Sequence, residues 1–224
     1  MNGESQYNEF LDNRKYQVQL GTMRAFDWYH DSKRLAFTAS RYKFVAKMLW
    51  EFSKVLEIGS GDGFFSKIVA DAVEELHITD FDSRFIREST ELYKGKTNIK
   101  VYKFNPLEYE VKEKFNAIFM LDVLEHIEAS DEDKLYECVK KMLVNHGVFI
   151  AGMPSLESQL YASEGSKKGH VNCQSGEDLR NKFKKHFQNV FIFSMNDEVV
   201  HTGFSKMAHY LILIGISPIS DDDE

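Results

Sequence analysis

Seven short apolar runs, most of them separated by amphipathic helical patterns, set the narrowest limit on what this chain can become. The runs are Lys54–Ile58, Leu76–Thr79, Ile99–Lys103, Asn116–Leu121, Gly147–Gly152, Val190–Met195 and Met207–Ile214. Strands that alternate with helices are joined by crossovers, and crossovers build a mainly parallel sheet with helices on both faces. The last pair differs. About eleven residues without a helical pattern separate Met195 from Met207. That spacing reads as a hairpin, so the final strand should run antiparallel to the others.

The helical patterns have readable faces. From Arg34 onward, Leu35, Thr38, Tyr42, Val45 and Leu49 recur at steps of three and four. Over Asp131–Leu143, Leu135, Cys138, Val139, Met142 and Leu143 form one stripe, with Ser130 as the expected cap and Asp133 closing a capping box. Over Gly176–Phe187, Leu179, Phe183 and Phe187 are in register and Ser175 is the expected cap. Residues 1–33 are polar, aromatic-rich and weakly periodic.

Composition narrows the partners. The 224 residues include 18 Phe, 10 Tyr and 2 Trp against 13 Gly and 3 Pro, which is the make-up of a folded domain rather than a linker. The net charge is −7, and Asp221, Asp222, Asp223 and Glu224 supply four of those charges. An acidic balance argues against nucleic acid as the main partner, since phosphates require a basic stripe. Two cysteines, Cys138 and Cys173, make neither a disulfide framework nor a zinc site alone. The start, MNGESQYNEF, lacks the basic and apolar regions of a secretory signal, and no apolar run approaches 18 residues. The expectation is a cytoplasmic protein without membrane insertion.

The first apolar run leads into Val55-Leu-Glu-Ile-Gly-Ser-Gly-Asp-Gly63, with a helix opening at Phe64. Glycines there let the chain turn sharply and let a ligand approach the backbone. The spacing is G-x-G-x-G and no G-K-[ST] follows, which removes the P-loop and disfavours a dinucleotide fold. Glu57 stands two residues before Gly59. The second run ends in Thr79-Asp-Phe-Asp82, and the fourth in Leu121-Asp-Val-Leu-Glu-His-Ile127.

Taken together, E-x-G-x-G-x-G, the acidic end of the second strand and D-V-L-E-H-I resemble the class I S-adenosylmethionine (SAM)-dependent methyltransferases, over roughly residues 45–215. Met153-Pro-Ser155 and Gly169-His-Val-Asn172 look like the branch that methylates small molecules, which includes ubiquinone-biosynthesis O-methyltransferases and sugar and natural-product enzymes. The segment Ser40–Lys47 looks like a sub-branch associated with surface-polysaccharide and nucleotide-sugar gene sets. The resemblance implies an α/β Rossmann-like three-layer sandwich. Its seven-stranded, mostly parallel sheet would have the order 3-2-1-4-5-7-6 and an antiparallel strand seven. It also implies SAM as cofactor and S-adenosylhomocysteine (SAH) as product.

Residue roles follow from the resemblance and from the rule that open α/β sheets bind ligands beyond the carboxyl ends of their strands. Gly59, Ser60, Gly61 and Gly63 would form the cofactor loop. Asp80 would accept from the ribose hydroxyls, with Asp82 as competitor, and Phe81 would lie beside the adenine. Asn105 and Pro106 end the third strand, where many family members carry an acid; an Asn still accepts through its amide oxygen. Asp122 would face the methionine ammonium, and Glu57 would be structural or reach that ammonium through water. A hydroxyl acceptor must lose a proton, and His is the usual base near neutral pH. Position at the carboxyl edge selects His126, His170 and His201; against this, His126 reads as a structural histidine under the cofactor, and His170 and His201 as solvated loop histidines. Trp28 and Tyr29 would cover the cofactor or stack on an acceptor, or else belong to a packing arm that holds an N-terminal helix; Arg41, with Arg24, Arg34 and Lys43, would meet an acceptor phosphate or form a solvated face. No metal site is evident, because Glu125 and His126 are adjacent rather than at helical ligand spacing.

The chain therefore divides into a cover segment over residues 1–33, a methyltransferase domain over 34–216 and an acidic tail over 217–224. Ten of the aromatics lie in the first 50 residues, as a cover would require. The expected activity is methyl transfer to a hydroxyl of a small polar acceptor such as a sugar or nucleotide sugar, by a monomer or homodimer. Two alternatives are N-methylation of a small amine or amino sugar, and SAM binding without catalysis.

Overall fold

The computed structural model describes residues 17–108 and 113–219. The outer part of the acidic tail, residues 220–224, and the first half of the 1–33 segment lie outside the described residues. Two helices lead: α1 (Thr22–His30) and α2 (Lys33–Met48). Then come β1 (Lys54–Ile58), α3 (Ser66–Ala70), β2 (Glu75–Asp80), α4 (Ser83–Leu92), β3 (Ile99–Lys103) and β4 (Phe115–Leu121). The second half holds α5 (Glu132–Met142), β5 (Leu143–Pro154), α6 (Glu164–Gly169), α7 (Gly176–His186), β6 (Phe187–Asn196), β7 (Val199–His201) and β8 (Tyr210–Pro218).

All eight described strands join one sheet in the order β3-β2-β1-β4-β5-β8-β6-β7. The first five pair in parallel, and β8 runs antiparallel to both β5 and β6. This is the Rossmann-like sandwich the sequence implies, with one strand more than expected. The addition is β7, three residues that fold back on the outer edge of β6. The expected antiparallel seventh strand is β8.

Alternation along the strands sorts the core into two layers. Leu56, Ile58, Ile118 and Met120 pack under α5 and α7, against Leu135, Tyr136, Leu179 and Phe183. Val55, Ala117, Phe119 and Leu121 pack under α2 and α3, against Tyr42, Val45, Leu49 and Val69. Glu57 shares the second face, and there it meets α2. Ser175 caps α7 as expected, its Oγ accepting from the Asp178 amide. The expected Ser130 cap is not formed. Asp131 immediately precedes α5, and no side chain closes that end.

Candidate active site

The carboxyl ends of β1 and β4 open into a cleft of about 520 Å³, within the size range of small-molecule sites. One wall is the glycine loop. Gly59, Gly61 and Gly63 all have positive φ, at 78°, 56° and 71°. At Gly59 the need is also steric, since a Cβ would sit 2.4 Å from Val123 Cγ2. Gly59→Ala should therefore lower stability by about 2 kcal/mol, from the left-handed φ and the overpacking together. Urea unfolding measures it, and an unchanged midpoint would contradict the reading.

The Gly61 amide donates to Asp80 Oδ2 at 3.0 Å, and the Asp82 amide to Asp80 Oδ1 at 2.8 Å. Asp80 is buried at the end of β2, and burial raises its carboxyl above the usual range. Asp82 does something else. It caps α4 by accepting from the Arg84 amide, and Arg84 holds its carboxyl down to about 2.

The opposite wall begins where β4 ends. Asp122 has φ 58°, a left-handed conformation for a residue with a side chain, of the kind that collects at functional sites. Both its oxygens accept from Arg41 Nη1, at 2.9 and 2.7 Å. The Arg41 guanidinium also lies 3.7 Å over the Tyr210 ring. α2 thus sends a charged side chain across the cleft to the first residue beyond β4.

A short turn, Leu124–His126, follows. Glu125 is 1% exposed, yet it lines the cleft, and its Oε2 has no hydrogen-bond partner. Burial, with Asp122 alongside, holds its carboxyl well above the usual range. Its backbone carbonyl accepts from the amides of Val171 and Asn172. Those two bonds pin the loop after β5 and deliver His170 to the cleft. The His126 and His170 rings meet edge to face, with centroids 5.3 Å apart. Burial and the neighbouring His126 lower His170. Glu125, His126 and His170 each offer a ligand atom within 4.8 Å of the others. Glu125 and His126 share a tight turn and His170 comes from a distant loop, so the helical spacing weighed for the first two does not bear on the three together.

α1 closes the cleft from above. The Arg24 amide donates to Asp62 Oδ2 of the glycine loop at 2.8 Å, and the Thr22 amide donates to Glu88 at 2.9 Å. Met23, Arg24, Phe26 and Asp27 line the cleft. Trp28 and Tyr29 do not. They are 59% and 83% exposed, because on a helix the inner face set by Met23, Phe26 and Asp27 turns the next two residues outward.

Other expected site residues lie elsewhere. His201 is in β7, where Nδ1 accepts from the Gly203 amide and Nε2 donates to Asn196, so both nitrogens serve the hairpin. Glu57 is buried beneath the glycine loop and accepts from the Tyr42 hydroxyl at 2.7 Å. Burial pushes its carboxyl up to about 7, with the Ser66 and Tyr42 hydroxyls pulling the other way. Phe81 stands exposed at the end of β2, Pro106 is buried, and the Asn105 amide oxygen accepts from the Leu107 amide. Glu125 and Asp62 were not singled out as binding residues from sequence. The i, i+3 acids Asp122 and Glu125 at a strand end were the available clue to the first.

Residues 56–149 match a family model described as a methyltransferase domain. The matched stretch runs from β1 into β5, under half of the chain. A comparison with curated protein sequences gave no match. Among solved structures, the domain is similar to the N-methyltransferase NodS from Bradyrhizobium japonicum WM9 in complex with SAH. That likeness has a TM-score of 0.62 and 18% identity, over 86% of this chain and 92% of that one. It is also similar to a possible histamine N-methyltransferase from Thermotoga maritima, with TM-score 0.65 and 15% identity over 87% and 95% of the two chains. A putative O-methyltransferase from Nostoc punctiforme PCC 73102 gives TM-score 0.62 and 14% identity, over 81% of this chain and 57% of that one. The fold is that of the class I SAM-dependent methyltransferases, whose methyltransferase domain uses SAM as methyl donor.

The residues of this cleft would fit that cofactor. Gly59 and Gly61 carry no side chain of their own, although Val123 and Met23 lie against them, and Asp80 carries only amide donors, leaving lone pairs for hydroxyls. Asp122 is the exception. It is already engaged by Arg41, so an ammonium there would share it.

Proposed function

We propose that this enzyme transfers the methyl group of SAM to a hydroxyl of a small polar acceptor, a sugar or nucleotide sugar. When bound, SAM supplies a sulfonium-activated methyl group. Transfer would form the oxygen–carbon bond as the carbon–sulfur bond is given up, would leave that electron pair on sulfur, and would pass the hydroxyl proton to an unprotonated imidazole of His126 or His170. The Glu125–His126–His170 cluster in the same cleft as the glycine loop is the observation that carries the proposal. A hydroxyl needs such a group because its proton is held too tightly near neutral pH. Arg24 adds support for a polar or phosphorylated acceptor, since its Nε is buried without a partner beside the cleft.

In this reading Gly59, Ser60, Gly61 and Gly63 form the floor for the cofactor and Asp80 accepts from its ribose hydroxyls. Phe81 stands beside the adenine, near Asn105 and Pro106. Arg41 and Asp122 form a fixed pair that orients what lies between the loop and the cluster, where position alone supplies much of the rate. The cover role falls to α1, through Met23 and Phe26.

N-methylation of a small amine is the second reading, favoured by the likeness to NodS and to the possible histamine N-methyltransferase. An uncharged amine carries its own lone pair and needs less help. Methyl-labelled SAM offered with sugars, nucleotide sugars, phenols and small amines separates the two. We expect label in a hydroxyl compound, with turnover falling more than KM rises in His126→Asn and His170→Asn. Label only in amines, at rates those variants leave unchanged, would establish the second reading instead.

A further inference from the structure

Buried carboxyl oxygens almost always have a partner, because leaving one unpaired away from water is costly. Glu125 is 1% exposed and its Oε2 has none. Two imidazoles each place a ring nitrogen within 4.8 Å of one of its carboxylate oxygens, and their hydrogen bonds fix their tautomers. His126 Nδ1 lies 2.7 Å from the Gly169 carbonyl oxygen, and His170 Nδ1 lies 2.9 Å from Gln159 Oε1. Both partners are acceptors only, so each Nδ1 carries the proton. Each ring therefore offers Nε2 as an unprotonated lone pair. A second partner that pins the far nitrogen to a carbonyl is the arrangement that orients metal-binding histidines.

We infer that Glu125, His126 and His170 form a binding site for a first-row divalent cation at the acceptor side of the cleft. One ligand atom from each lies within 4.8 Å of the others, so a modest closure brings three donors onto one ion. Two imidazoles and one carboxylate favour zinc, cobalt or manganese over magnesium, which prefers an all-oxygen shell. Only three protein ligands converge, so positions remain open toward the cleft, as in catalytic rather than structural sites. The Arg41 charge does not oppose the ion, because Asp122 holds it bidentately. The site deepens the proposed function. A hydroxyl at an open position would be polarised and would release its proton more readily, whereas an uncharged amine gains nothing from that.

The test needs neither SAM nor turnover. Purified protein, stripped with a chelator, is titrated with Co2+, and visible absorption and equilibrium dialysis report binding. We expect one ion per chain, displaced by Zn2+, with absorption bands of a low-coordinate nitrogen–oxygen site. The His126→Asn, His170→Asn double variant should lose about a hundredfold or more in affinity. Gln159→Ala, which frees the His170 ring without removing it, should lose roughly tenfold. Near-ultraviolet circular dichroism confirms that the variants are folded, and Glu125→Gln serves as a second probe should the double variant fail to fold. The inference is overturned if saturable one-to-one binding is absent up to millimolar Co2+, or if the variants bind as the parent does. SAH binding, measured in parallel, keeps the two readings apart. Cobalt bound without SAH refutes the methyltransferase reading alone, and SAH bound without cobalt refutes the metal site alone.

Discussion

SAH at one hundred times its Kd should raise the melting temperature of this protein by about 5–10 °C, and Asp80→Ala should abolish most of that rise. The first figure is mass action on the native state, worth about 2.7 kcal/mol at that ratio, spread over the unfolding entropy of a chain this long. The second follows from the position of Asp80. Its carboxylate ends β2 beside the glycine loop and accepts from two backbone amides, at 3.0 and 2.8 Å. Hydroxyls donating to its remaining lone pairs would each form a charge-assisted bond. Losing two such bonds costs about 3 kcal/mol, roughly a hundredfold in affinity. At the same SAH concentration the variant then gains less than about 0.5 kcal/mol. Asp82→Ala is the control. Asp82 caps α4 and pairs with Arg84, so its loss should fray the helix and leave the SAH shift intact. If Asp82→Ala removes the shift and Asp80→Ala does not, the ribose contact belongs to Asp82.

The second large effect is on stability. Glu57 titrates at about 7 in the fold, well above the 4.5 of an ordinary glutamate. A raised carboxyl binds its proton more tightly folded than unfolded, so its contribution is complete below about pH 4.5 and is lost as pH rises through 7. The span corresponds to about 3 kcal/mol. Glu57→Gln keeps the shape of the neutral form and can still face the Tyr42 hydroxyl, but it has no proton to lose. The variant should match the parent near pH 5, gain on it steadily, and lead by about 3 kcal/mol at pH 8. Urea unfolding of both proteins at several pH values reads the difference, in which other titrating groups cancel. A difference that stays constant with pH would mean that Glu57 is ionised throughout.

The sequence pattern foretold the interior of the sheet better than its rim. β1 and β3 fall on their apolar runs residue for residue, because both are bounded by polar or glycine-rich turns. β7 escaped notice because three residues at an edge carry too little alternation to be seen. β5 begins at Leu143, ahead of its apolar run at Gly147, since the apolar stripe of α5 runs straight into Leu143 with no intervening turn. β8 was placed early, since Met207 belongs to a tight turn that precedes the strand. α1 was missed because its inner face mixes Met23, Phe26 and Asp27, so no clean apolar stripe appears. The glycine loop and the strand-end acids were legible because they are contiguous in sequence. The Glu125–His126–His170 cluster was not, since it joins residues more than forty apart through two backbone bonds to a single carbonyl.

Under the proposed function, that double anchor would divide the chemistry from its recognition. One end of the segment after β5 is fixed at Ser155, whose amide and hydroxyl donate to the carbonyls of His209 and Ala208, the two residues before β8. The other is fixed at Val171 and Asn172. Between them, Leu156, Leu160 and Tyr161 face outward. Such an insert behaves as an exchangeable cassette: its composition can be rewritten while His170 stays in place. A graft spanning 156–158 and 160–168, with Gln159 retained, would be the natural route to altering which acceptor is taken, with the methyl-donor half of the enzyme left untouched.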